Sequence, residues 1–209
     1  MPQLRMWLIV SLLAIAGGSV MRAQDRETFR IRKGTSVTVQ VAKGGLLSFA
    51  GHDHEITAQA TERQVVLDRA DVSHSSVRLV FDATTAKVTG KGEPAEDVPE
   101  VQRVMESDRV LHVKKFPTIT FESRSVSRTA ASAAAMTLRI EGDLILHGVT
   151  KRVTAQGVQV RVDGDRLTAD GKVEIRQSDF GIRPVTAAGG TVRVKDEVTI
   201  VFAITADRG

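Results

Sequence analysis

Leu144-Ile145-Leu146-His147-Gly148-Val149-Thr150-Lys151-Arg152-Val153 is the stretch that decides the fold. Three apolar residues run up to His147, and after Gly148 small or β-branched residues alternate with charges. That pattern is two strands with a glycine between them. Glycine takes φ > 0 freely and lets another backbone come close, so Gly148 is expected to be a bulge or corner re-aiming a long strand. Outward from it the chain keeps a period of two. Val37, Val39 and Val41 alternate with polar neighbours, and Val77, Leu79 and Phe81 oppose Arg78, Val80 and Asp82. Ile119 with Phe121, then Met136, Leu138 and Ile140, repeat the rhythm. Downstream come Val158, Val160 and Val162, the turn Asp163-Gly164-Asp165, and Leu167, Ala169, Val173 and Ile175. The last run carries Val198, Ile200, Phe202 and Ile204. An Asp-Gly between alternating runs signals a hairpin. Many strands joined by short turns predict an antiparallel sandwich or barrel.

Two segments break the alternation. Asp97-Val98-Pro99-Glu100 reads as a helix start, with Asp97 as N-cap and Glu100 three residues on, and a helix to about Arg109 is expected. The Ala- and Ser-rich piece from Ser127 to Ala135 lacks caps and reads as a loose connection between strands.

Composition narrows the function classes. A length of 209 residues fits one domain, and 42% hydrophobic residues suffice for a core. Cysteine is absent, which excludes disulfides, thiolate metal sites and thiol nucleophiles. Arg5, the apolar run from Met6 to Ala16 and the small residues Gly17-Gly18-Ser19 form the three regions of a secretory signal. Residues 1–23 are therefore expected to be a signal peptide, leaving one domain over 24–209 in the periplasm or secreted. The apolar run is shorter than the ~20 residues that span a bilayer, so no transmembrane span is expected in the mature protein. Without Arg5 and Arg22, Lys+Arg falls from 29 to 27 against 25 acids, a nearly balanced surface. Basic and aromatic residues are not interleaved, so nucleic-acid binding is not expected. A membrane barrel needs aromatic girdles, whereas phenylalanine here is scattered, so a soluble barrel is expected.

Few residues suggest chemistry. His52 and His54 lie two apart, and in a strand they point the same way, so they could share one metal ion. Two ligands do not close a coordination shell, and His74, His112 or His147 would have to be brought near by the fold. The simpler reading has these histidines hydrogen-bonding at a barrel mouth. His147 beside its glycine, and Lys151, are further mouth candidates, with Lys151 able to receive an anionic headgroup. Asp179-Phe180-Gly181 lacks every other kinase element and reads as a strand end. No nucleophile elbow and no spaced carboxylate pair is present, so catalysis is not expected, and neither a cofactor nor a bound metal is assigned.

Three segments together resemble one family. The Leu144–Val153 stretch resembles the leucine-rich "G-V-T-K" strand of the YceI family, periplasmic polyisoprenoid-binding proteins with a lipocalin-like barrel. Arg176-Gln177-Ser178-Asp179-Phe180-Gly181-Ile182 resembles its "D-F-G-I" strand end. Val110-Leu111-His112-Val113-Lys114-Lys115-Phe116-Pro117-Thr118-Ile119-Thr120-Phe121-Glu122-Ser123 resembles its "F/Y-P-x-I-x-F-x-S" entry into a central strand. The resemblance covers roughly Phe29 to Thr205 and implies an all-β, antiparallel barrel of about eight strands with one short helix. It also implies that the inward residues line a cavity instead of filling a core. Val77, Leu79 and Phe81, Ile119 and Phe121, and Met136, Leu138 and Ile140 are the expected lining, with Val173, Ile175, Ile200 and Phe202. The ligand implied is an isoprenoid, quinone-like or fatty long-chain lipid, bound without catalysis, and a homodimer stays open as an assembly. The sequence departs from the family at Phe49-Ala50-Gly51-His52-Asp53-His54, where many members carry "G-x-F-x-x-F-x-G". Two other readings stand beside this one: a metal-binding or metalloenzyme barrel using His52 and His54, and a ligand-free interaction module.

Overall fold

The computed structural model describes residues 26–32, 36–44, 53–132, 135–187 and 192–209. The expected signal peptide and His52 lie outside the described residues. The strands are β1 (Arg26–Ile31), β2 (Ser36–Gly44), β3 (His54–Asp68), β4 (Ser76–Asp82), β5 (Lys87–Val88) and β6 (Thr118–Ala131). After them come β7 (Met136–Leu146), β8 (Val149–Asp163), β9 (Arg166–Arg176), β10 (Thr186–Ala187) and β11 (Val192–Arg208). One helix, α1 (Val98–Glu106), lies between β5 and β6.

The sheet runs β2-β3-β4-β6-β7-β8-β9-β11, and β11 returns to β2, closing an antiparallel barrel of eight strands. β1 and β2 share one position in this ring. Both pair with β11 on one side and β3 on the other, β1 through Phe29↔Arg208 and Phe29↔Val65, β2 through Val37↔Phe202 and Val37↔Ala58. Inward residues form a core in which Phe29, Val158, Leu167 and Ala206 are almost fully buried. Among the described residues no helix is long and apolar enough to cross a membrane.

Three local expectations are corrected. Gly148 is not a bulge in a long strand: β7 ends at Leu146, β8 begins at Val149, and these two pair directly. His147 at φ 53° and Gly148 at φ 75° form the two-residue hairpin turn between them, the left-handed pair that matches the twist of adjoining strands. The helix lacks its capping box. Asp97 adopts helical backbone angles and its side chain caps nothing, while Glu100 pairs with Arg103 at 2.6 and 2.7 Å; the helix stops at Glu106. The Ala- and Ser-rich piece is mostly ladder, because Arg128 pairs with Leu138 and Ala131 with Met136, leaving only the turn around Ser132 as connection. Small residues carry no preference strong enough to oppose pairing imposed by the strands on either side.

Candidate functional site

Successive residues of a strand point to opposite faces, so the inward rows follow from the register. They enclose an apolar cavity of about 250 Å³. Val77, Leu79 and Phe81 line it from β4, Ile119 and Phe121 from β6, and Leu138 and Ile140 from β7. Val173 and Ile175 of β9, with Ile200 and Phe202 of β11, complete the wall opposite. Met136 departs from the expected set. As the first residue of β7 it sits at the end of the barrel, where its sulfur accepts from Arg128 Nη2 at 3.7 Å, and it is not among the lining residues. Sequence reasoning did not include the lining given by Leu144, Leu146, Val153 and Val160, although their alternation was visible. Met105, Val110 and Leu111 of the α1 region also line the cavity, and no strand period could mark them.

The cavity is long. Ile56 and Leu67 of β3 both line it, a separation of about 36 Å along the strand at ~3.3 Å per residue. With strands tilted ~35–45° this is roughly 28 Å along the barrel axis. Polar side chains among the described lining are Ser75 and Gln177. Each already has a structural partner: Ser75 Oγ accepts from the Asp68 N–H at 2.9 Å, and Gln177 Nε2 donates to the Lys195 carbonyl at 2.8 Å.

The described mouth candidates, His54, His147 and Lys151, gather at one end. His54 begins β3, His147 turns between β7 and β8, and Lys151 lies near the start of β8; the segment carrying β5 and α1 connects strands at this same end. Lys151 pairs with Leu144, so it occupies the inward row between Val149 and Val153, yet it is exposed. Arg152, on the outward row, pairs with Asp143 at 2.7 Å, and Arg124 holds the same carboxylate at 2.7 Å. His147 Nδ1 lies 3.2 Å from the Phe180 carbonyl; a carbonyl only accepts, so Nδ1 carries the proton. Its Nε2 is buried with no partner among the described residues, and its ring packs edge-on against Phe116 with centroids 4.8 Å apart.

At this end the wall parts. β8 has no Cα partner in β9 between residues 149 and 155 among the described residues, although β7 pairs with it there. Residues 177–182 fill the gap, with Phe180 and Ile182 buried against Leu144, Ile175 and Val198. Ser178 anchors this plug, its N–H and Oγ donating to Asp196 at 2.8 and 2.6 Å. Those bonds, led by the one from Ser178 Oγ, hold the Asp196 carboxyl below the usual carboxylate range.

A family model described as YceI-like domain matches residues 31–206. A UPF0312 protein of Pseudomonas aeruginosa strain LESB58 is 35% identical over 89 residues, 40% of this chain and 44% of that protein, and UPF0312 proteins of two other strains of the species match equally. The chain thus spans 44% of the length of the curated relatives it matches. Among solved structures, Burkholderia cenocepacia BcnA is similar with a TM-score of 0.59 at 19% identity, covering 82% of this chain and 95% of that one. A Campylobacter jejuni YceI protein is similar with a TM-score of 0.53 at 16% identity, covering 71% and 81%. At these identities the two structures speak for the fold alone.

Proposed function

The chain belongs to the YceI-like domain family, and from that premise we propose that it is an exported carrier that holds the tail of a long-chain isoprenoid, quinone-like or fatty amphiphile in its barrel without catalysing a reaction. The observation that carries this reading is the reach and chemistry of the cavity: it extends along the barrel and is walled almost wholly by hydrocarbon. A linear chain fits such a space better than a bulky ring system. By proportion with the ~150 Å³ apolar cavity that accepts benzene, this one accommodates about ten carbons. Burying about ten methylenes at ~0.8 kcal/mol each gives roughly 8 kcal/mol, a micromolar dissociation constant before the cost of ordering the chain. The remainder of a longer tail, and its headgroup, lie toward the end where Lys151 offers a cation. The two polar lining groups are engaged in structural hydrogen bonds, which supports binding without chemistry.

Native mass spectrometry of the purified protein, before and after solvent extraction, tests the proposal together with Leu138→Trp. Leu138 is buried and lines the cavity, so the larger ring is expected to enter the lumen and exclude the tail. Such bulk costs about 1–3 kcal/mol where a core is already filled and much less where free volume receives it. The expected result is a well-folded variant that copurifies with less lipid. A wild type that never yields an extractable lipid and a Leu138→Trp variant that is strongly destabilised overturn the reading. Export rests on the pattern of residues 1–23; N-terminal sequencing of a periplasmic product beginning near Gln24 supports it, and a full-length cytosolic product overturns it.

A further inference from the structure

The two ends of the barrel use their charges differently. At the end where β1 starts, Arg26, Arg69, Arg161, Arg166 and Arg208 each pair with a carboxylate, at distances from 2.8 to 3.8 Å. At the end with the His147-Gly148 hairpin, Lys114, Lys115, Lys151, Arg183 and Lys195 are all exposed. Among the described residues none of these five pairs with a carboxylate. The acids near them are engaged elsewhere. Asp143 holds Arg124 and Arg152, Asp196 accepts from Ser178, and Glu197 pairs with Arg176 at 3.8 Å. Glu55 pairs with Lys91 at 3.3 Å. Glu93 pairs with His54 at 3.2 Å, from a turn shaped by Gly90 and Gly92 at φ 72° and 79°. Asp108 and Asp179 are the exposed acids on the segments that carry the cations. Glu96 and Asp97 are exposed as well, but they follow β5, which pairs with β3 across the ring from β8.

Contacts gather the five cations around one spot. Phe116 packs on His147, and Lys115 Nζ lies 5.1 Å from the centre of the Phe116 ring. His147 Nδ1 donates to the Phe180 carbonyl, just ahead of Arg183. Lys151 follows the same hairpin, and the Lys195 carbonyl accepts from Gln177 at the start of the plug. The cations therefore flank the gap in the wall that residues 177–182 fill. Among the described residues Ile145 is the exposed large hydrophobic, at 40%, and it stands on the outer face of the hairpin opposite Thr150.

We propose that this end of the barrel is a docking face for the surface of an anionic bilayer. All but one of the five cations are lysines, flexible point charges that suit a fluid layer of headgroups. Recognition of one fixed acidic partner favours the rigid, bidentate fork of arginine instead. Each lysine or arginine brought against an anionic surface strengthens binding roughly fivefold, and salt screens the effect. Ile145 adds an apolar contact at the headgroup boundary. Docking sets the plugged gap against lipid, where a water-insoluble tail is to be found. That use of the face rests on the carrier reading; the charge pattern does not.

The test is flotation of the protein, as purified from the expressing cells, with phosphatidylcholine vesicles that do or do not contain phosphatidylglycerol. Binding is expected to require phosphatidylglycerol and to fall as salt is raised. Lys114→Gln combined with Lys115→Gln should weaken it by about tenfold or more, whereas Arg161→Gln with Arg166→Gln should change it by less than about twofold. None of these four residues lines the cavity, so uptake of a fluorescent fatty acid from solution should match the wild type in both double variants. Absence of binding, equal binding to both vesicles, or equal loss in the two double variants overturns the docking face. Retention on immobilised polyglutamate without binding to vesicles identifies an acidic protein as the partner and also overturns it. Vesicle binding that follows Lys114 and Lys115 in a protein that takes up no fatty acid supports the docking face and overturns the carrier reading alone.

Discussion

Phe202 stands directly across the sheet from Gly171, and its ring occupies the space that a side chain at position 171 would need. A Cβ there would lie 2.5 Å from Phe202 Cζ; likewise a Cβ on Gly142 would lie 2.5 Å from Phe121 Cζ. The two glycines let two of the lining phenylalanine rings, Phe202 and Phe121, lie back against the wall. Gly171→Ala is expected to lower stability by about 1–3 kcal/mol through crowding, although alanine in a strand interior is ordinarily favoured over glycine by roughly 0.5–1 kcal/mol. The net sign, read from urea denaturation, checks the recess. Phe202→Leu in the same chain should restore the loss.

The hairpin at residues 147–148 gives a second test. Gly148 has φ 75°, and a Cβ there would lie 2.5 Å from Phe116 Cε1. Gly148→Ala combines a left-handed backbone with a clash, and a loss of at least about 1–2 kcal/mol is expected in thermal unfolding. Gly164→Ala shares the left-handed conformation at φ 54° but meets no neighbour within 4 Å, so it should cost less.

Acid should weaken the far end of the barrel through Asp68. The Asp71 N–H at 2.9 Å, then that of Ala70 at 3.1 Å, hold its carboxyl below the ordinary value, against the opposing effect of desolvation; His74 adds to the lowering. A carboxyl lowered by folding stabilises the protein above its unfolded pKa and loses that contribution as pH falls through its lower folded value. Stability is therefore expected to hold from neutral pH to about 5 and to decline below about 4. Asp68→Asn should be less stable at neutral pH and should decline less steeply in acid, measured by denaturation across that range.

The plug at 177–182 invites a kinetic test. Asp196→Ala removes both acceptors of Ser178 while leaving the buried Phe180 and Ile182 in place. A loss of about 1 kcal/mol in holding the plug corresponds to roughly a fivefold faster release of a bound chain. Stopped-flow exchange of a fluorescent fatty acid should show faster release with little change in melting temperature.

Much of the wall was legible because alternation with a period of two is a local signal, and each inward row needed only its own strand. Leu79, Phe121, Leu138 and Ile200 fell on the lumen for that reason. What escaped depends on contacts between distant segments. Glu93 is not part of any periodic run, and its meeting with His54 arises from a turn whose two glycines act only in three dimensions. Lys151 was separable from Arg152 by phase, but only the register with Leu144 and Asp143 says which of the two faces inward. Gly148 was visible as a break, and telling a bulge from a hairpin required knowing that Leu146 pairs with Val149.

Closing the ring with two segments in one position has a consequence for association. β1 can detach from β3 and β11 without disturbing β2, because their ladders are separate, and Phe29, fully buried, is its anchor. Detachment uncovers two short stretches of unpaired backbone, residues 64–68 of β3 and 206–208 of β11. Unpaired strand edges are templates for another chain. The segment that covers those edges therefore also guards them against strand exchange between copies, and Phe29→Ala, which removes its buried anchor, is expected to expose them while β2 still closes the ring.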